Sequence, residues 1–119
     1  MQLTPFGLCV RKLRLEVGCR LKDMAEFIGC SSAYLSAIEV GKRPITDEVI
    51  DKTCEFFKAK GVTQYDEIIR AADKSRRTIS VEQLSIDERG VLAAFARRIP
   101  DADSTKRADL LRKLEDLLD

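Results

Sequence analysis

Apolar side chains recur at helical intervals along almost the whole chain. Phe6, Val10, Leu13 and Val17, spaced by four, three and four, line one face of a first helix. Thr4 is its expected N-cap, and Pro5 opens the first turn, where a missing N–H costs nothing. Gly18 supplies the stop. A second helix over about 21–28 buries Leu21, Met24, Ala25 and Ile28. A third runs from Ser32 to about Glu39, turns Leu35 and Ile38 inward and stops at Gly41. Thr46 caps a fourth helix through Phe57, with Val49, Ile50, Thr53, Cys54 and Phe57 facing the same core and Gly61 ending it. Thr63, with Asp66 three residues on, has the spacing of a capping box for a fifth helix carrying Tyr65, Ile68, Ile69 and Ala72.

The pattern then breaks. Residues 73–80, DKSRRTIS, are polar and basic without a helical period and read as a connector, and TISVEQL within and beyond it suggests a short strand. Ser85 and Glu88 form another capping box, opening a helix with Val91, Leu92 and Phe95 inside that stops before Pro100. Asp103 or Ser104 starts the last helix. Its stripe of Leu110, Leu111, Leu114, Leu117 and Leu118 is opposed by Lys106, Arg107, Arg112, Lys113, Glu115 and Asp116. The expected fold is therefore all-α: a five-helix domain over residues 1–74, a linker over 75–85 and a helical hairpin over 86–119.

Composition narrows the class. With 119 residues and 45% hydrophobic content, the chain can bury one core extended by a smaller C-terminal unit. No apolar run is long enough to cross a bilayer, and MQLTPFGLCVRK lacks the layout of a signal peptide, so a cytoplasmic protein without membrane partners is expected. Cys9, Cys19, Cys30 and Cys54 form no CxxC pair, and histidine is absent, so no metal site is expected and the thiols read as small buried hydrophobes. Cys19, placed in an exposed turn beside Arg20, is the one candidate redox sensor. No Gly-rich phosphate loop accompanies them, so neither an enzyme nor a cofactor is expected.

The formal charge is only +1, with ten Lys or Arg and eight Asp or Glu in residues 1–60. Attraction for a polyanion would have to come from placement rather than from totals. The stretch from Leu21 to Pro44 supplies placement. Packing two helices steeply across a short turn needs a small residue where backbones nearly touch and one free to adopt positive φ; Ala25 and Gly29 meet both needs. Cys30 fills the small apolar slot after the turn, and Ser31 caps the third helix. This is the order of a helix-turn-helix, whose second helix is sized for a DNA major groove.

VRKLR, the DMAEFIG turn and SxxYLSxIExGKRP, together with the fourth helix, resemble the Xre/Cro-like family of bacterial and phage DNA-binding regulators over roughly residues 6–72. The resemblance implies a lambda-repressor-like five-helix domain whose third helix reads bases through Ser32, Ala33, Tyr34, Ser36 and Ala37. No bidentate Arg–guanine or Gln–adenine pair is available from these side chains, which puts weight on Tyr34, water and DNA shape. It further implies phosphate contacts near Arg20, Lys22, Ser31, Lys42 and Arg43, and an inward ion pair between Arg14 and Glu39. Two positions depart from the family pattern. Where it often has a Ser, Thr or Asn cap and then a Gln that reaches phosphate, this chain has Arg20 and Leu21.

A reading helix with so few hydrogen-bonding groups calls for two half-sites and so for a dimer. The leucine stripe of residues 110–118 either pairs across a dimer axis or folds back within one subunit. The expected function is a dimeric repressor that binds a double-stranded operator, from a phage, a mobile element or a bacterial operon. The alternative is an antitoxin whose tail also grips a toxin; an antirepressor is another possible protein partner, and a protein-interaction module that has lost DNA binding is a third class.

Overall fold

A computed structural model describes residues 2–119 and is all-helical, with no strand among them. The elements are α1 (Pro5–Val17), α2 (Leu21–Ile28), α3 (Ser32–Glu39), α4 (Asp47–Ala59), α5 (Tyr65–Ser75), α6 (Ile86–Arg98), a 3₁₀ turn at Ile99–Asp101, and α7 (Ser104–Leu118). They fall into two compact units, one ending at Ile79 and one spanning Ser80–Asp119.

In the first unit the helix boundaries follow from local chemistry. The side chains of Thr4, Ser31 and Thr46 accept hydrogen bonds from the backbone N–H groups of Gly7, Tyr34 and Val49, satisfying donors that a helix start leaves open. α1 packs on α5 and α3, α2 on α3 and α4, and α4 on α5. Their shared core holds Phe6, Val10, Met24, Leu35, Ile38, Phe57 and Ile68, all with no exposed surface. Each such side chain contributes about 1.5–3 kcal/mol through burial. α1 lies so close to the end of α3 that a Cβ added at Gly7 would collide with the carbonyl oxygen of Glu39.

Several details differ from expectation. Asp73–Ser75, read as connector, form the last turn of α5. Ser75 explains this: its hydroxyl donates to the Ala71 carbonyl at 2.7 Å and accepts from the Phe6 N–H at 2.8 Å, fastening α5 to the start of α1. The expected Thr63–Asp66 capping box does not form; Gln64 is the N-cap of α5 and makes no side-chain cap. Tyr65 and Ile69 are exposed because only the Ile68 and Ala72 side of α5 meets the core. The segment TISVEQL has no neighbouring strand to pair with and instead turns, with the Leu84 N–H bonded to the Val81 carbonyl. Cys19 is half-buried against the core rather than exposed.

In the second unit, α6 opens on the expected capping box, Ser85 accepting from the Glu88 N–H and Glu88 accepting from the Ser85 N–H. Asp103 caps α7 through the Lys106 N–H. Neither helix holds a buried residue. Val91 and Leu92, expected inside, are exposed, while Phe95, Ile99 and Leu110 are half-buried. Leu111, Leu114, Leu117 and Leu118 stand exposed along α7.

Candidate nucleic-acid interface

The turn between α2 and α3 depends on Gly29, which sits at φ 91° and ψ 32°, a left-handed conformation that side chains with a Cβ rarely adopt. The N–H groups of Gly29 and Cys30 both bond to the Ala25 carbonyl, at 2.9 and 3.0 Å, closing α2 in a tight reversal. Lys52 of α4 adds its ammonium to the Ile28 carbonyl at 3.3 Å. Ala25, almost fully buried, lets the two helices approach. Ser31 then starts α3.

Leu35 and Ile38 are fully buried and fix the rotation of α3 about its axis. Of the residues left on the other side, Ala33 and Tyr34 are exposed and Ser32, Ser36 and Ala37 are half-buried. The chain turns back after α3 at Gly41, φ 82°, with the N–H groups of Lys42 and Arg43 both directed to the Ala37 carbonyl. Both side chains are exposed, and neither has a carboxylate partner among the described residues. The Arg43 guanidinium lies 5.8 Å from the centre of the Tyr34 ring, a cation–π contact that links the loop to the helix face.

The basic residues of α2 are placed differently. The Asp23 carboxylate accepts from the Arg20 backbone N–H at 2.9 Å and lies 3.4 Å from its guanidinium. A guanidinium has no acceptor, so only the backward half of a capping box forms here. The Arg20 N–H, and then its guanidinium, hold the Asp23 carboxyl below the usual range. Lys22 has Glu26 one turn away, at 4.0 Å. Of these four basic residues, Lys42 and Arg43 are therefore the two without a carboxylate partner among the described residues.

Beneath this surface, the fully buried Glu39 carboxylate receives both terminal nitrogens of Arg14, at 2.8 and 3.0 Å. Three further interactions here go beyond what the sequence pattern conveys. Arg11 adds its Nε to Glu39 at 3.2 Å, and its position three residues before Arg14 on one helix face is the available signal. Arg14 also reaches the Met24 sulfur at 3.2 Å. Finally, the N–H and hydroxyl of Thr4 both donate to the Glu39 carbonyl at 3.0 Å, so the start of α1 caps the end of α3.

A family model described as a helix-turn-helix domain matches residues 5–68, more than half of the chain. The protein belongs to that helix-turn-helix domain family. No curated protein and no solved structure matches the chain. The helix-turn-helix is a DNA-binding module in which α2 and α3 take the two helical roles. Among the described residues of this helix-turn-helix protein no group of His, Cys, Asp or Glu is placed to hold a metal ion, and no helix is long and apolar enough to cross a membrane.

Proposed function

We propose that the chain is a sequence-specific, dimeric DNA-binding repressor of the Xre/Cro type with a lambda-repressor-like domain. One observation carries this reading. α3 turns its apolar side wholly inward and leaves Ser32, Ala33, Tyr34, Ser36 and Ala37 as the opposite face, with the unpaired cations Lys42 and Arg43 at its end. Small side chains of this kind fit closely against base edges, where a serine hydroxyl hydrogen-bonds and an alanine methyl meets a thymine methyl. Ser31 uses a lone pair as cap, so its O–H is free to donate to a phosphate beside the first N–H groups of α3. Lys42 and Arg43 complete the phosphate grip, with Arg20 and Lys22 contributing less because Asp23 and Glu26 already draw on their charge.

Dimerisation through α7 is supported by the second unit itself. Two helices without a buried residue do not offset the entropy of ordering them, whereas a second copy laid along the leucine stripe would. The charges favour an antiparallel arrangement, since Lys106 and Arg107 near one end of α7 would face Glu115 and Asp116 of the copy.

The test is a gel-shift titration against the DNA upstream of the protein's own gene. Lys42→Glu with Arg43→Glu is expected to weaken binding to all sequences alike and to lower the salt slope by about 0.9 for each phosphate no longer neutralised. Tyr34→Ala is expected to change which operator is preferred. Absence of any salt-sensitive shift would overturn the reading in favour of a protein-interaction module. Co-purification of a small basic protein held by the tail would favour an antitoxin.

A further inference from the structure

The start of α1, the loop after α3 and the end of α5 line an open surface cavity of about 410 Å³, within the range of small-molecule sites. Its walls carry Arg43, Lys74, Arg76 and Arg77 and, among the described lining residues, no carboxylate. Arg76 is matched from outside by Asp47 at 2.8 Å. Arg43, Lys74 and Arg77 are exposed and have no carboxylate partner among the described residues. Pro5, Val40 and Pro44 line the cavity with apolar surface, and Thr78 supplies a hydroxyl. The N–H groups of Phe6 and Gly7 are already taken by Ser75 and Thr4, so α1 contributes its dipole and the side chains contribute the donors. Three unpaired cations around a partly apolar hollow fit a doubly charged head on an apolar body better than they fit a single carboxylate.

We propose that this cavity binds a small organic phosphate, with the phosphoryl head between Arg43, Lys74 and Arg77 and the apolar body against Pro5, Val40 and Pro44. The site goes beyond DNA binding and stands without it. Arg43 belongs to both places: it lies over Tyr34 and lines the cavity, so an occupant draws on a side chain that the proposed DNA contact also uses.

The probe is phenyl phosphate, titrated without DNA into the ¹⁵N-labelled full chain, with inorganic phosphate alongside. The amides of Val40, Gly41, Ser75 and Thr78 are expected to shift saturably, with a Kd about tenfold lower for phenyl phosphate than for inorganic phosphate. Lys74→Glu with Arg77→Glu, both at exposed positions, is expected to raise that Kd by about tenfold or more, and Lys12→Glu to leave it unchanged. The proposal is overturned by shifts that never saturate, by shifts spread over the cations of both units, or by a Kd that the double variant leaves unchanged. Loss of DNA affinity in the double variant with no phenyl phosphate binding in the parent would also overturn it, assigning these cations to the duplex.

Discussion

Replacing Glu39 with leucine would leave Arg14 only 5% exposed and without its counter-charge. Stranding a buried charge in this way costs about 3–5 kcal/mol. A domain of this size has about 4–12 kcal/mol of stability, at about 0.05–0.15 kcal/mol per residue, so the loss removes a large share of it. At about 4–8 °C for each kcal/mol, Tm should fall by at least about 12 °C. Arg14→Leu is expected to be milder, because Arg11 still reaches Glu39 at 3.2 Å from a side chain that is 47% exposed. The double variant Arg14→Leu with Glu39→Leu should recover much of the loss, since replacing a whole buried pair by apolar groups is often neutral. Urea unfolding followed by circular dichroism closes the cycle. The reasoning is refuted if Glu39→Leu lies within about 1 kcal/mol of the parent, or if the double variant is no more stable than Glu39→Leu.

Gly7→Ala should destabilise by about 1–3 kcal/mol in the same urea assay, because the new methyl has to push α1 away from the Glu39 carbonyl. Thr53→Val should be neutral or stabilising by up to about 1 kcal/mol: the Thr53 hydroxyl is fully buried with no hydrogen-bond partner among the described residues, and valine keeps its shape. Burial pushes the Cys9, Cys30 and Cys54 thiols up, so alkylation by iodoacetamide in mildly alkaline buffer should run slower in the folded chain than in urea, as mass spectrometry would show. The lowered folded-state value of Asp23 makes its contribution fully present above the ordinary carboxylate range and lost as pH falls through the lowered value. The gap in urea midpoint between parent and Asp23→Asn should therefore close on acidification.

Helix starts are legible wherever a hydroxyl or carboxylate sits one residue before an apolar period, as at Thr4, Ser31, Thr46 and Ser85, because capping is a local interaction. The start of α5 misleads for the complementary reason. Thr63 and Asp66 have the right spacing, yet the chain enters the helix at Gln64 after the Gly61 turn and the buried Val62, a path that no local signal encodes. The end of α5 depends on a hydrogen bond from Phe6 to Ser75, 69 residues apart, which periodicity cannot register. In the second unit the pattern marks Val91, Leu92 and the α7 leucines as apolar but does not specify what covers them. At the candidate interface the turn, the cap and the inward side of α3 are readable from Ala25, Gly29, Ser31, Leu35 and Ile38. The sharing of Glu39 among Arg14, Arg11 and Thr4 requires the cap and two turns of α1 to meet the last turn of α3; the spacing of Arg11 and Arg14 is readable, but the Thr4 contact across 35 residues is not.

The fastenings of α3 all lie on its inner side or at its last residue: Leu35 and Ile38 in the core, the arginines on the Glu39 carboxylate, and Thr4 on its carbonyl. The Ser36 hydroxyl forms no hydrogen bond within the described chain, and the Tyr34 ring carries the exposed Arg43 guanidinium over its face. Under the proposed function, anchorage and address are encoded by different letters of the same eight-residue word. On that proposal, point changes at the exposed Ala33 and Tyr34 cost little folding energy, which leaves a lineage, or an engineer, free to retarget the molecule one substitution at a time.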